Sequence, residues 1–202
     1  MVIEEYNQRY INQPYGDAMS ILRAMAYKEH PYQWPTIGKH IDHIREATLE
    51  HVKDFFYHHY APNNAILTIA GNVDPDEMLA LTQKWFGPIP ARKIDRKTLP
   101  EEPPQTEART RETQSNVPHN VLYKAFHMVS RNHPDFAASD LISDLLSNGK
   151  STRLYQRLVK EQHLFSSIDA YITGDADPGL LLVTGALSEG VTMKEAENAL
   201  NR

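Results

Sequence analysis

The chain has 202 residues, enough for one large domain or two of ordinary size, with a core that needs no covalent staples. Cysteine is absent, which excludes disulfides and thiolate metal sites and leaves the redox compartment open. A net charge of −5 with both signs interspersed argues against a nucleic-acid footprint, no apolar stretch approaches the roughly 20 residues of a membrane span, and no signal peptide is visible.

Residues 1–12 place Val2, Tyr6, Arg9 and Tyr10 near one another on a helix, with Glu5 one turn before Arg9. Taken alone, Glu5 is a solvated carboxylate in an i, i+4 pair. Asn12 to Gly16 breaks this helix, and Asp17 to Tyr27 resumes helical spacing with Met19, Leu22 and Met25 as core filling. Pro31 and Pro35 keep the backbone near Tyr32 and Trp34 out of the α region, so helix is expected to begin only after Gly38. Thr48 is the candidate N-cap, with Glu50 in the first turn. Val52, Phe55, Phe56 and His59 then fall at i, i+3, i+4 and i+7, an apolar face that predicts burial. Ala61-Pro62-Asn63-Asn64 stops the helix, and the continuous apolar run from Ala65 to Ala70 predicts a central strand. Asp74-Pro75 opens a further helix through Met78, Leu79, Leu81, Trp85 and Phe86, which Gly87-Pro88 ends.

From Ala91 to Glu112 apolar periodicity disappears. A basic ARKIDRK gives way to an acidic, proline-bearing LPEEPPQTE, the composition of a linker between two domains. Beyond it, Val117 to Val129 predicts a strand, Asp135 starts a helix holding Phe136, Leu141, Leu145 and Leu146, and Arg153 to Glu161 makes another helical set. Phe165 to Thr173 and Leu180 to Leu187 read as antiparallel strands joined by the turn GDADPG. Met1 to Glu5 has no preceding cap and VTMKEAENALNR ends with its helical pattern still running, so the chain is read as a piece of a longer protein.

Several metal and nucleotide signals dissolve on inspection. His40 and His43 stand at i, i+3 and His58 and His59 are adjacent, but neither pair has the partners of a zinc site. Gly149-Lys150-Ser151 matches the tail of a phosphate loop, yet Asp144 occupies the place of its first glycine and no strand precedes it. Asp175 and Asp177 lie in a turn and would hold calcium only with the rest of an oxygen cage.

The ordered set HPY..P..G, FY..HYAPNNA, AGNVDPDE and KWFGPIP, followed by SNGKSTRLYQRLVKEQ, resembles the peptidase M16 family, the pitrilysin, insulinase and mitochondrial-processing-peptidase group. The resemblance implies an α+β fold of two similar domains, each an antiparallel-rich sheet with helices packed on one side. The first would be 1–90, truncated at its N-terminus, then a linker at 91–112, and a second domain at 113–202, truncated at its C-terminus. It also implies a zinc metalloendopeptidase acting on peptides or small unfolded proteins. In that chemistry the metal polarises the scissile carbonyl and an upstream glutamate deprotonates a bound water. VIEEYNQR resembles the helix carrying the third zinc ligand, which makes Glu5 that ligand and Glu4 its neighbour. The inverted His-x-x-Glu-His motif is missing, since Ala26 and Ala47 stand where its leading histidine would precede Glu29-His30 or Glu50-His51. No catalytic residue is therefore assigned here, substrate-binding residues are not identified, and the chain by itself is expected to be metal-free and inactive. The family's complementary half carries an arginine and, seven residues on, a tyrosine that reach the substrate carbonyl. Val159 and Ser166 occupy those places, which implies a second M16 half, in the same polypeptide or a separate subunit. The alternative is a non-catalytic M16-like subunit serving as structural or substrate-binding partner.

Overall fold

The computed structural model describes all residues, 1–202. In chain order it contains α1 (Val2–Tyr6) running into a π-helical turn Asn7–Ile11, α2 (Ala18–Ala26), a 3-10 turn Pro31–Gln33, α3 (Ile41–Arg45), α4 (Leu49–His59), a 3-10 turn Pro62–Asn64 and α5 (Pro75–Phe86). Then follow β1 (Val121–His127), α6 (Phe136–Ser147), a π-helical stretch Tyr155–Glu161, β2 (Phe165–Ile172), β3 (Leu180–Leu187) and α7 (Met193–Leu200). The fold class is α+β, and the chain divides into two compact units, one of residues 1–39 with 100–202 and the other of residues 40–99.

The first unit is built on an antiparallel sheet of order β1-β3-β2. Its register pairs Ala125 with Leu182 and Ile168 with Gly185. LLLVTGAL is nearly continuous in apolar residues because β3 is the middle strand and both its faces are covered. Leu180 and Leu182 point to one face and pack with Ala26 and Tyr27 at the end of α2, where Met19, Leu22 and Tyr32 close the cluster. Val183 and Leu187 point to the other, against Phe165, Ile168, Leu158 of the π-helical stretch and Ala196 of α7. Gly185 is required there, since a Cβ on it would lie 2.5 Å from Cδ1 of Phe165. Thr192 and Glu195 form a capping box that starts α7. On α6 the residues turned inward are small or terminal, with Ser143 buried, while Leu141 and Leu145 of the expected apolar stripe are exposed together with Ile142.

The second unit holds helices and turns only. Thr48 caps α4 as the sequence indicates, in a capping box whose reciprocal partner is His51, and the Asp74 side chain accepts from the Glu77 amide at 2.9 Å to start α5. Two expectations are corrected. Residues 65–70 join no ladder and Ile66, Leu67 and Ile69 are exposed; the α4 face of Val52, Phe55, Phe56 and His59 is exposed as well. The physical reason is common to both, because a strand exists only with a hydrogen-bonding neighbour and an amphipathic helix is buried only where a second layer meets it, and residues 40–99 contribute no other strand.

One boundary between the compact units falls within the proline-bearing stretch, between Leu99 and Pro100. Arg92 belongs to the second unit: its guanidinium donates to the carbonyls of Tyr57 (2.9 Å) and Tyr60 (3.4 Å) at the end of α4 and lies 4.4 Å from the centroid of the Tyr57 ring. From Pro100 onward the same proline-bearing stretch belongs to the first unit and is fastened to it.

Candidate functional site

Glu5 sits on α1, half-exposed, with Oε1 2.9 Å from a guanidinium nitrogen of the more exposed Arg9. Glu4 is exposed beside it. No group of three or more His, Asp or Glu side chains comes together anywhere in the chain in a way that could hold a metal ion. Zinc takes four ligands, so the donor set present here, one ion-paired carboxylate, does not make a zinc site by itself. The histidine pairs singled out above serve their own helices. The His40 and His43 rings meet edge to face, His58 Nδ1 lies 2.7 Å from the Asp54 carbonyl, and His59 packs on Phe55.

Val159 and Ser166, which the resemblance sets at the places of an arginine and a tyrosine, have structural occupations. Val159 packs against the core, and the Ser166 hydroxyl donates to the Ala186 carbonyl at 3.2 Å. The Gly149-Lys150-Ser151 turn follows a helix, not a strand, with the Thr152 hydroxyl donating to the Gly149 carbonyl at 2.7 Å.

A polar assembly that sequence reasoning missed lies at the C-terminal end of α2. Glu102 accepts three consecutive backbone N–H groups: Lys28 on Oε1 at 2.7 Å, and Glu29 and His30 on Oε2 at 2.9 and 3.0 Å. Burial pushes the Glu102 carboxyl upward, but the amides of His30, Lys28 and Glu29, with His127 nearby, outweigh it and hold the group below its usual value. Two residues earlier the polarity is opposite. Arg109 donates to the carbonyls of Met25 and Ala26, and His127 Nε2 donates to Ala26 O at 3.0 Å, which satisfies carbonyls that a helix end leaves free. The Tyr27 hydroxyl, 151 residues from its acceptor in sequence, donates to Pro178 O at 3.1 Å. Burial, followed by the charge of Asp175, raises its pKa well above the ordinary tyrosine value. His30, buried, accepts from the Tyr32 amide through Nδ1 (3.2 Å), so its proton is on Nε2, which faces Asp177 Oδ2 at 3.5 Å. Nothing in local spacing marks Glu102 for this role, because its partners are backbone groups more than 70 residues away.

The profile of the family described as "Peptidase M16 inactive domain" matches residues 46–202. The chain belongs to the peptidase M16 family. Among M16 relatives, "Zinc protease PqqE" of Helicobacter pylori is 33% identical over 171 residues, covering 82% of this chain and 38% of the relative. The crystal structure of a protease from Helicobacter pylori superposes with a TM-score of 0.83 at 29% identity, covering 99% of this chain and 49% of that one. The peptidase M16 inactive domain from Pseudomonas fluorescens shares the fold, with a TM-score of 0.74 at 20% identity over 99% of this chain and 48% of that one. The chain thus spans about two fifths of the first M16 relative and about half of the two solved chains. No helix is long and apolar enough to cross a membrane.

Proposed function

We propose that this chain is part of a zinc metalloendopeptidase of the M16 type, that Glu5 is the third zinc ligand of the whole protein, and that the first two ligands and the general base lie outside residues 1–202. The observation carrying this reading is the 33% identity to a protein named a zinc protease, taken with the family profile. Glu5 is accessible and its only ion-pair partner is an exposed arginine, so a metal could displace that pair at small cost. No catalytic step is assigned to these residues. The family domains are proposed to be 1–90 and 113–202, joined through 91–112, a division of ancestry that need not follow the compact units.

The test is metal content of the full-length protein. Glu5→Gln is expected to abolish zinc retention with the fold intact, because a neutral amide of the same shape is a much poorer ligand, and Glu4→Gln is expected to leave zinc bound. The reverse order would place the ligand one residue earlier.

A second M16 half, covalently joined or separate, is proposed to supply the arginine and tyrosine that Val159 and Ser166 replace. The description of the matching profile as an inactive domain favours a second reading, a non-catalytic subunit that supports or binds substrate for an active chain. Zinc retained by the wild-type full-length protein and lost with Glu5→Gln would exclude that reading, whereas a full-length protein that never binds zinc would establish it over the first.

A further inference from the structure

We propose that residues 100–109 form a latch that opens and closes as a unit on the end of α2, independently of the rest of the fold. Its two fasteners are the Glu102 carboxylate, on the amides of residues 28–30, and the Arg109 guanidinium, on the carbonyls of Met25 and Ala26. They grip opposite polarities of the same short stretch of backbone. Between the fasteners every residue from Pro103 to Ala108 is exposed, and none of residues 100–109 enters either apolar core. Gln105–Ala108 and Ala125–His127 at the end of β1 together line an open cavity of about 440 Å³. Closure therefore rests on polar contacts alone, and opening removes a few hydrogen bonds and leaves core burial intact.

The closed state also carries a cost. Nε of Arg109 is buried without a hydrogen-bond partner, a group that opening would return to water. The position of the latch gives it meaning. The chain leaves the first unit after Lys39 and re-enters it at Pro100, and Glu102 ties the re-entering segment to the segment that precedes the excursion, 72 residues from His30 in sequence. An opened latch frees the amides of residues 28–30 and the re-entering segment while α2 stays packed through Ala26 and Tyr27 on Leu180 and Leu182. This reading does not depend on zinc.

The experiment is native-state hydrogen exchange on the full-length protein, following the amides of Lys28, Glu29 and His30 with those of Leu182 to Ala186 in β3 as internal reference. In the wild type the three amides are expected to exchange together, faster than β3 and with rates nearly independent of added denaturant, the signature of local opening. Glu102→Gln removes the charge and one acceptor oxygen, and is expected to speed the three amides by about tenfold or more with β3 unchanged. Exchange of residues 28–30 at the β3 rate, with the same denaturant dependence, would show that the strap opens only on global unfolding and would overturn the proposal. Unchanged rates in Glu102→Gln would overturn it as well. If that variant does not fold, the wild-type denaturant series decides alone.

Discussion

Glu102 shows how one side chain can tie acid stability to a particular place. Its carboxyl titrates lower in the folded chain than in the unfolded one, so the stability it contributes is present above the ordinary carboxylate pKa and is lost as pH falls through the depressed folded value. Glu102→Gln should therefore be less stable than wild type at neutral pH, and the gap should close as pH falls from neutral through the ordinary carboxylate range to below the depressed folded value. Urea midpoints of the two proteins across that range would check this, and a gap that stays constant would mean the charge contributes nothing. The chemistry of Glu102 was invisible in the sequence because EEPPQTE has the composition of a solvated linker, and its acceptor role depends on three amides brought near only by the fold. Glu5 was legible as a candidate for a different reason. Its i, i+4 pairing with Arg9 could be read from spacing and is present in the structure, whereas its proposed role as ligand comes from family resemblance.

The β2–β3 hairpin was legible almost to the residue, since an apolar run of strand length, a turn rich in Gly, Asp and Pro and a second such run leave little else to form. Helices α4 and α5 were legible through their caps, which are local chemistry. What escaped was partnership. Whether residues 65–70 make a strand is a property of the neighbour and not of the apolar run itself, and the same holds for the exposed faces of α4 and α6. The π-helical widening at Tyr155–Glu161 left no trace in the spacing of its apolar residues either. Close approach within the hairpin gives an element-level prediction. Phe165 lies across β3 where Gly185 has no side chain, so Gly185→Ala must push the ring or split the pairing at the irregular step between Phe165 and Ser167. A loss of about 1–3 kcal/mol is expected from overpacking, measurable by chemical denaturation, and an unchanged midpoint would show that the ring moves freely.

Taken whole, the chain is a sheet-centred unit interrupted by a helical excursion, and protease access should reveal the seams. Lys93 and Lys97 are exposed, and no hydrogen bond or ion pair fastens either side chain, whereas Arg109 is half-buried on the end of α2. Trypsin is therefore expected to cut first between residues 93 and 97 and only later at Arg109. First cleavage at Arg109, read by mass spectrometry of early fragments, would contradict the fastening of that stretch.

The central position of β3 also sets an order of events in folding. β2 and β3 are neighbours in sequence and close through a short turn, but β1 must reach β3 across more than 50 residues and Tyr27 meets Pro178 across 151. Loop closure grows costlier with separation, so the hairpin with Ile168 and Val183 should form the nucleus, and α2 should dock after the rate-limiting barrier. Ile168→Val and Val183→Ala are then expected to slow folding, with φ-values above about 0.5, while Tyr27→Phe mainly speeds unfolding, with φ near zero. High φ at Tyr27 would mean that this long-range contact forms early, and that the sheet assembles around α2 instead of receiving it last.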